Sequence, residues 1–235
     1  MNDVHGHTGI VNMIQEKSER RSKNHIHAPR AATSQRHESL RQNLLEAAKT
    51  FIEANGLAEL RARTLAETAG CSVGAIYNVF EDLDAIILAV NAATLEEIGA
   101  LMAAARPGPP AQKFRILATA YLDFAVRNPR RWDALFAHRL PAGIDAPDWF
   151  MRIQEAAFSH IETPLRELRP DLPLSTIPQL ARGIFAAVHG IVALGLEHRT
   201  GPIDLAALKT QLTTIVTAIA SGLEQERAGA SAQKN

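Results

Sequence analysis

The chain has 235 residues, a formal net charge of zero and one cysteine. No unbroken run of eighteen apolar residues occurs, so no membrane-spanning helix is expected, and residues 1–32 hold no apolar block of the kind a secretory signal carries. The lone Cys71 excludes an internal disulfide framework and reads as a small buried side chain; the expected setting is the cytoplasm, with no membrane partner.

Charge is unevenly spread. Residues 16–41 carry seven Lys or Arg and three acidic residues, while the chain after Phe80 is slightly acidic. A basic front on a neutral body fits contact with phosphate at one end only. Residues 1–35 are polar, lack periodicity and read as a disordered basic tail. The pairs His5/His7 and His25/His27 have no third ligand at helical or finger spacing, so they read as solvated and no metal is expected.

From about His37 the apolar residues fall three and four apart. Leu40, Leu44, Ala47, Ala48, Phe51 and Ile52 mark one face of a helix that Asn55-Gly56 ends, with Gly56 as a left-handed cap. Leu83, Ile86, Ile87, Val90, Ile98 and Leu101 stripe a long helix that stops at the Pro-Gly cluster 106–110. Phe114, Leu117, Tyr121, Phe124 and Ala125 stripe the next helix. Pro129 breaks it, and Trp132, Leu135 and Phe136 open a shorter one. A turn over 141–145 leads to a helix over 147–168 with a kink expected at Pro164. Two helices, over 176–198 and 204–225, close the chain. With no credible strand, the fold class is all-α: a three-helix DNA-binding domain over 36–82, a larger helical domain over 83–226, and a disordered tail over 227–235.

The informative stretch is 63–80, Arg-Thr-Leu-Ala-Glu-Thr-Ala-Gly-Cys-Ser-Val-Gly-Ala-Ile-Tyr-Asn-Val-Phe. Thr64 is placed to cap a short helix, with Glu67 completing a capping box. Gly70 supplies the positive φ of a tight exit, and Ser72 caps a second helix. On that helix Val73, Ile76 and Phe80 share the buried face, while Gly74, Ala75 and Asn78 face away. Two short helices joined by a glycine-bearing turn form a helix-turn-helix, whose second helix enters the major groove. The expected DNA contacts are Arg63, Thr64, Ser72, Gly74, Ala75, Tyr77 and Asn78. The helix start and the hydroxyls of Thr64, Ser72 and Tyr77 suit phosphates. Asn78 suits adenine, Ala75 a thymine methyl, and Gly74 close backbone approach. Thr64 and Ser72 also read simply as caps, Tyr77 as packing and Asn78 as a solvated residue.

These residues resemble the amino-terminal domain of the TetR/AcrR family of regulators. The match lies in Leu65-Ala66, Ala69-Gly70-Cys71-Ser72, Gly74-Ala75-Ile76-Tyr77 and Phe80, and covers about residues 40–88. Val79 and Leu83 stand where the family usually has His and Lys that hold the DNA backbone. The basic tail, with Arg20, Arg21, Lys23, Arg30 and Arg36, is placed to compensate along a groove or to lie in solvent. The resemblance implies that the rest of the chain is an effector-binding and dimerising domain. Ala187-Val188-His189-Gly190 is similar to the Trp-His-Gly mark of one subgroup, with Val188 at the Trp position.

Gly183, Ala187, Gly190 and Ala193 form a stripe of small residues, and Leu205, Leu208, Leu212, Ile215, Ile219 and Leu223 a seam. Both fit a four-helix interface between two copies, or packing within one chain. The expected effector contacts are Phe124, Trp132, Phe136, Phe158, His160, Phe185 and His189, each of which also reads as ordinary core. No Glu-x-x-His pair, His-Glu-x-x-His, phosphate-cradling loop or nucleophile elbow occurs, so neither enzyme activity nor a cofactor is expected. The expected function is a homodimeric repressor released from a double-stranded DNA operator by a small-molecule effector. The alternatives are an activator and an effector-independent DNA-binding dimer.

Overall fold

The computed structural model describes residues 33–104, 108–199 and 201–232, with side chains to 229. The expectations for residues 1–32, including the histidine pairs and most of the basic tail, lie outside the described residues, as does the 106–107 part of the Pro-Gly cluster. Among the described residues there is no strand, and the all-α reading holds. The helices are α1 (33–55), α2 (Ala62–Ala69), α3 (Val73–Tyr77), α4 (Leu83–Ala103), α5 (Pro110–Arg127), α6 (Pro129–Ala137), α7 (Asp148–Leu168), α8 (Thr176–Leu196) and α9 (Leu205–Ala232). A short 3-10 turn, Leu57–Glu59, joins α1 to α2.

Local chemistry sets most boundaries. Gly56 takes φ 89° and ψ 161°, a positive φ but not the left-handed helical cap expected, and its N–H still closes on Ile52 O at 2.8 Å. Pro110 and Pro129 sit at the first positions of α5 and α6, where a missing N–H costs nothing. α7 runs on through Pro164, which is buried within it. α9 continues to Ala232, past the expected end at Gln225. Its far end is tied down by Arg169, whose guanidinium binds Asp171 at 2.9 Å and Glu226 at 2.8 Å.

Two apolar clusters form. The smaller joins Leu44, Ala48 and Ile52 of α1 to Leu65, Ile76 and Ile86, all fully buried. At about 1.5–3 kcal/mol for each large side chain buried, this cluster is what holds the short α2 and α3 on α1 and α4. The larger is built from α4 to α9, with α9 lying along α5 and α4 against α7. α6 belongs to both. Its Ala134 is fully buried in the smaller cluster, while Trp132 lies in the larger, with Leu135 and Phe136 packed against it.

α4 and α8 are each long and apolar enough to cross a membrane by length and composition alone. In α4 the apolar window is 61% buried in the protein's own core, but in α8 only 28%. The uncovered side of α8 carries Gly183, Ala187 and Leu194, and no atom lies within 4 Å of a side chain built at Gly183 or Gly190. The leucine seam of α9 divides. Leu208 and Leu212 are buried inside the chain, whereas Leu205 and Ile215 are 46% and 41% exposed.

Candidate DNA interface and ligand cavity

α2 and α3 meet through the turn at Gly70, which adopts the left-handed conformation (φ 66°, ψ 34°) expected of it. Its N–H and that of Cys71 close on the last carbonyls of α2. Ser72 caps α3 as expected, its Oγ accepting the Ala75 N–H at 3.2 Å. The cap of α2 is different. Arg61 occupies the N-cap, and Thr64 lies three residues inside, accepting the Arg61 N–H at 3.1 Å and donating to Arg61 O at 2.8 Å. Thr64's hydroxyl therefore spends its proton on its own helix start. Glu67 takes no part in that cap and pairs with the exposed Arg63 at 3.6 Å.

α3 is only five residues long, so its dipole is weaker than that of a full recognition helix. Ile76 and Phe80 are buried and anchor it. Val73, expected on the same buried face, is 38% exposed. Five residues make little more than one turn, too few for periodicity to fix both edges of a face. The outer surface thus presents Val73, Gly74, Tyr77 and Asn78, with Ala75 half-buried beside them. The Tyr77 ring is 51% exposed rather than packed. Gly74 is open, with only Ser72 Oγ within 4 Å of a side chain built there. The positions of Val79 and Leu83 are both half-buried against the small core. Arg41 of α1 stacks its guanidinium 4.6 Å from the Phe80 ring centre, which places a cation beside α3 that sequence reading missed.

In the larger domain, an apolar cavity of about 130 Å³ lies among α4 to α8. Leu95, Ile98 and Met102 of α4 form one wall. Leu135 and Phe136 of α6 face Phe150, Phe158 and Ile161 of α7, and Phe185 of α8 closes it. Its polar groups are Gln154 and Tyr121. A smaller void of about 30 Å³ adjoins it, sharing Met102, Tyr121, Ile161 and Phe185.

Behind this wall sits a polar cluster. Tyr121 Oη and His189 Nδ1 hydrogen-bond at 2.8 Å. Burial pushes the Tyr121 hydroxyl well above its ordinary value and the His189 imidazole below its own, so both stay neutral near pH 7. The Trp132 indole N–H lies close enough to the Tyr121 oxygen to oppose that rise, yet completes no hydrogen bond. The rings of Phe136 and Phe185 lie 4.1 Å and 5.8 Å from the His189 ring.

The expected contacts therefore separate. Phe136, Phe158 and Phe185 line the cavity, and Trp132 and His189 back it. Phe124 lines neither void; it is 1% exposed, beneath the Arg131 guanidinium at 5.3 Å. His160 opens instead into an outer groove between α4 and α7, beside Trp149 and Arg152. Tyr121, Phe150 and Gln154 were missed as contacts. Tyr121 had a signal, being the one residue of the α5 stripe with a polar tip.

The two sites are joined by α6. Arg131, 2% exposed, binds Glu97 of α4 at 2.7 Å, faces Glu53 of α1 at 3.5 Å and reaches Asn128 Oδ1 at 3.3 Å. Arg130 Nη1 meets Glu53 O at 3.5 Å. Asn91 of α4 donates to Ala134 O at 3.3 Å, and His138 faces Asp84 at 3.7 Å. Buried Asn91 Oδ1, Arg131 Nε and His138 Nε2 have no hydrogen-bond partner among the described residues, so the polar seam between α4 and α6 is only partly satisfied.

Residues 114–219 match a family model described as the tetracyclin repressor-like C-terminal domain. A relative from Mycobacterium tuberculosis, described as an uncharacterized HTH-type transcriptional regulator, is 26% identical over 186 residues, spanning 79% of this chain and 82% of that protein. Among solved structures, a tetR-family transcriptional regulator from Streptomyces coelicolor is similar with a TM-score of 0.61 at 18% identity, covering 82% of this chain and 86% of the other. RolR, solved in complex with resorcinol, is similar with a TM-score of 0.59 at 16% identity, covering 82% and 94% of the two chains.

Proposed function

We propose that this chain is a transcriptional regulator of the TetR family and acts as a homodimeric repressor that a small-molecule effector releases from its operator. The observation that carries the reading is the two-sided α6. One side of it walls the cavity with Leu135 and Phe136, and the other holds α1 and α4 through Ala134 and Arg131. A ligand that favours one position of Phe136 thereby favours one setting of the DNA-binding unit, which is the differential interaction allostery requires. The incompletely bonded seam supports this reading, because Asn91 Oδ1, Arg131 Nε and His138 Nε2, unbonded among the described residues, are available to new partners when α6 shifts. That a protein of similar fold, RolR, is complexed with resorcinol fits a small-molecule effector.

On DNA, Tyr77 and the hydroxyl of Ser72 serve the phosphates, and Arg63 adds charge beside them. Asn78 reads a base edge, while Ala75 and the exposed Val73 offer apolar contact to a thymine methyl. Thr64 acts as a structural cap. With so small a reading surface, one helix-turn-helix needs a second at a fixed spacing. The uncovered faces of α8 and α9 supply it, as an isologous interface of two helices from each copy. Working on DNA, the protein acts in the cytoplasm.

The test is a mobility shift of folded, purified protein on the DNA upstream of its own coding sequence at low salt. A retarded complex that weakens steeply with salt is expected. Folded protein that leaves the DNA unshifted refutes the proposal.

A further inference from the structure

We propose that the inner cavity takes a small, uncharged, single-ring aromatic ligand bearing one hydrogen-bonding group, and that it rejects the carboxylate of the same shape. This rests on the reading of the cavity as the effector site. Size sets the first limit. An apolar cavity of about 150 Å³ holds one benzene-sized molecule, and this one measures about 130 Å³ with a void of about 30 Å³ beside it. One ring fills a space of this size.

The walls set the second. Phe136, Phe150, Phe158 and Phe185 present rings to the space, and edge-to-face contact with a further ring suits their geometry. Phe158 and Phe185 already stand at 82° to one another, with centres 5.4 Å apart.

Charge sets the third. Among the described residues no charged side chain lines the inner cavity. Arg152 and Glu96 line the outer groove instead. Arg182 lies over the Phe158 ring at 4.8 Å but does not line the cavity, and Glu162 at 3.8 Å offsets its charge. A carboxylate entering among these rings loses its water and gains no cation, which favours exclusion. The polar groups on hand are neutral ones, the Gln154 amide and the Tyr121 hydroxyl, which suit one hydroxyl or amide on the ligand.

The experiment is calorimetric titration of the purified protein, without DNA, near pH 7.5, with benzyl alcohol and with benzoate. These probes match in shape and differ in charge. Benzyl alcohol is expected to bind at least about tenfold more tightly. Ala157→Phe, which fills the cavity from α7, is expected to lose benzyl alcohol binding. Gln154→Lys, at an exposed position on the rim, is expected to raise benzoate affinity about tenfold or more. Thermal melts check that each variant is folded, and Gln154→Lys keeps the test decisive if Ala157→Phe is not. Equal binding of the two probes, binding of neither, or benzyl alcohol binding untouched in folded Ala157→Phe overturns the proposal. The regulator reading is judged separately by the mobility shift. Protein that shifts DNA but binds neither probe refutes only the ligand class, and protein that binds benzyl alcohol but no DNA refutes only the regulator.

Discussion

Arg131 is the residue whose removal tests the link between the two domains. Replacing it by Met keeps an unbranched apolar side chain and deletes the guanidinium together with its stacking on Phe124. The contact with Glu97 at 2.7 Å is a charge-assisted bond, worth about 1.5–3 kcal/mol. The Glu53 contact at 3.5 Å contributes about 1 kcal/mol at most, because Glu53 is half-exposed. Against these stands the cost of keeping a cation only 2% exposed, which Met relieves. After the change both glutamates, 42% and 44% exposed, remain hydrated. The expected net loss for Arg131→Met is therefore about 1–2 kcal/mol, or about 2–8 °C in Tm for a chain of this size. The opposite deletion behaves differently. Glu53→Ala together with Glu97→Ala leaves Arg131 buried with Asn128 Oδ1 as its remaining polar contact, and an unpaired buried charge costs about 3–5 kcal/mol. Thermal and urea melts of both variants give the comparison. If Arg131→Met proves more destabilising than the double glutamate variant, the reasoning about where the buried charge sits is wrong.

Other consequences are as direct. Asn78→Ala should cost about 1–3 kcal/mol at one base position of the operator, while Tyr77→Phe should weaken all sequences alike; operator variants in a mobility shift separate the two. Ala187→Arg, on the uncovered face of α8, should leave the fold intact, convert the dimer to monomer in sedimentation and weaken operator binding; a dimer that persists refutes the assignment of the interface. Burial lowers the His189 pKa below its ordinary 6.5, so the unfolded chain takes up this proton at higher pH than the native protein does. Stability should then fall as pH drops through that ordinary value, and His189→Gln should lessen the fall between about pH 7.5 and about pH 5.5 in thermal melts.

The features legible in the sequence are those fixed by local rules. Gly70 and Ser72 marked the turn and the cap because a left-handed residue and a hydroxyl at a helix start each have few substitutes. Thr64 misled because a threonine bonds the same backbone groups from the N-cap or from three residues inside, and local sequence does not choose between them. Tyr121 and Phe124 share one stripe of α5, yet only Tyr121 reaches the cavity; the helices packed around each decide that, not their spacing. Nothing in the local sequence marks Arg131 as buried, since the glutamates that accept its burial come from α1 and α4. The α9 seam read as one surface, but the chain's own core takes Leu208 and Leu212 and leaves Leu205 and Ile215 outside.

In the proposed regulator, two copies of the surface formed by Ser72, Gly74, Tyr77 and Asn78 grip one operator together. Chemical footprinting of the full chain on its upstream DNA measures this most directly. Two protected patches of equal strength are expected, related by symmetry and spaced by about one helical turn or a multiple of it. A single protected patch, bound with a stoichiometry of one chain per site, would contradict it.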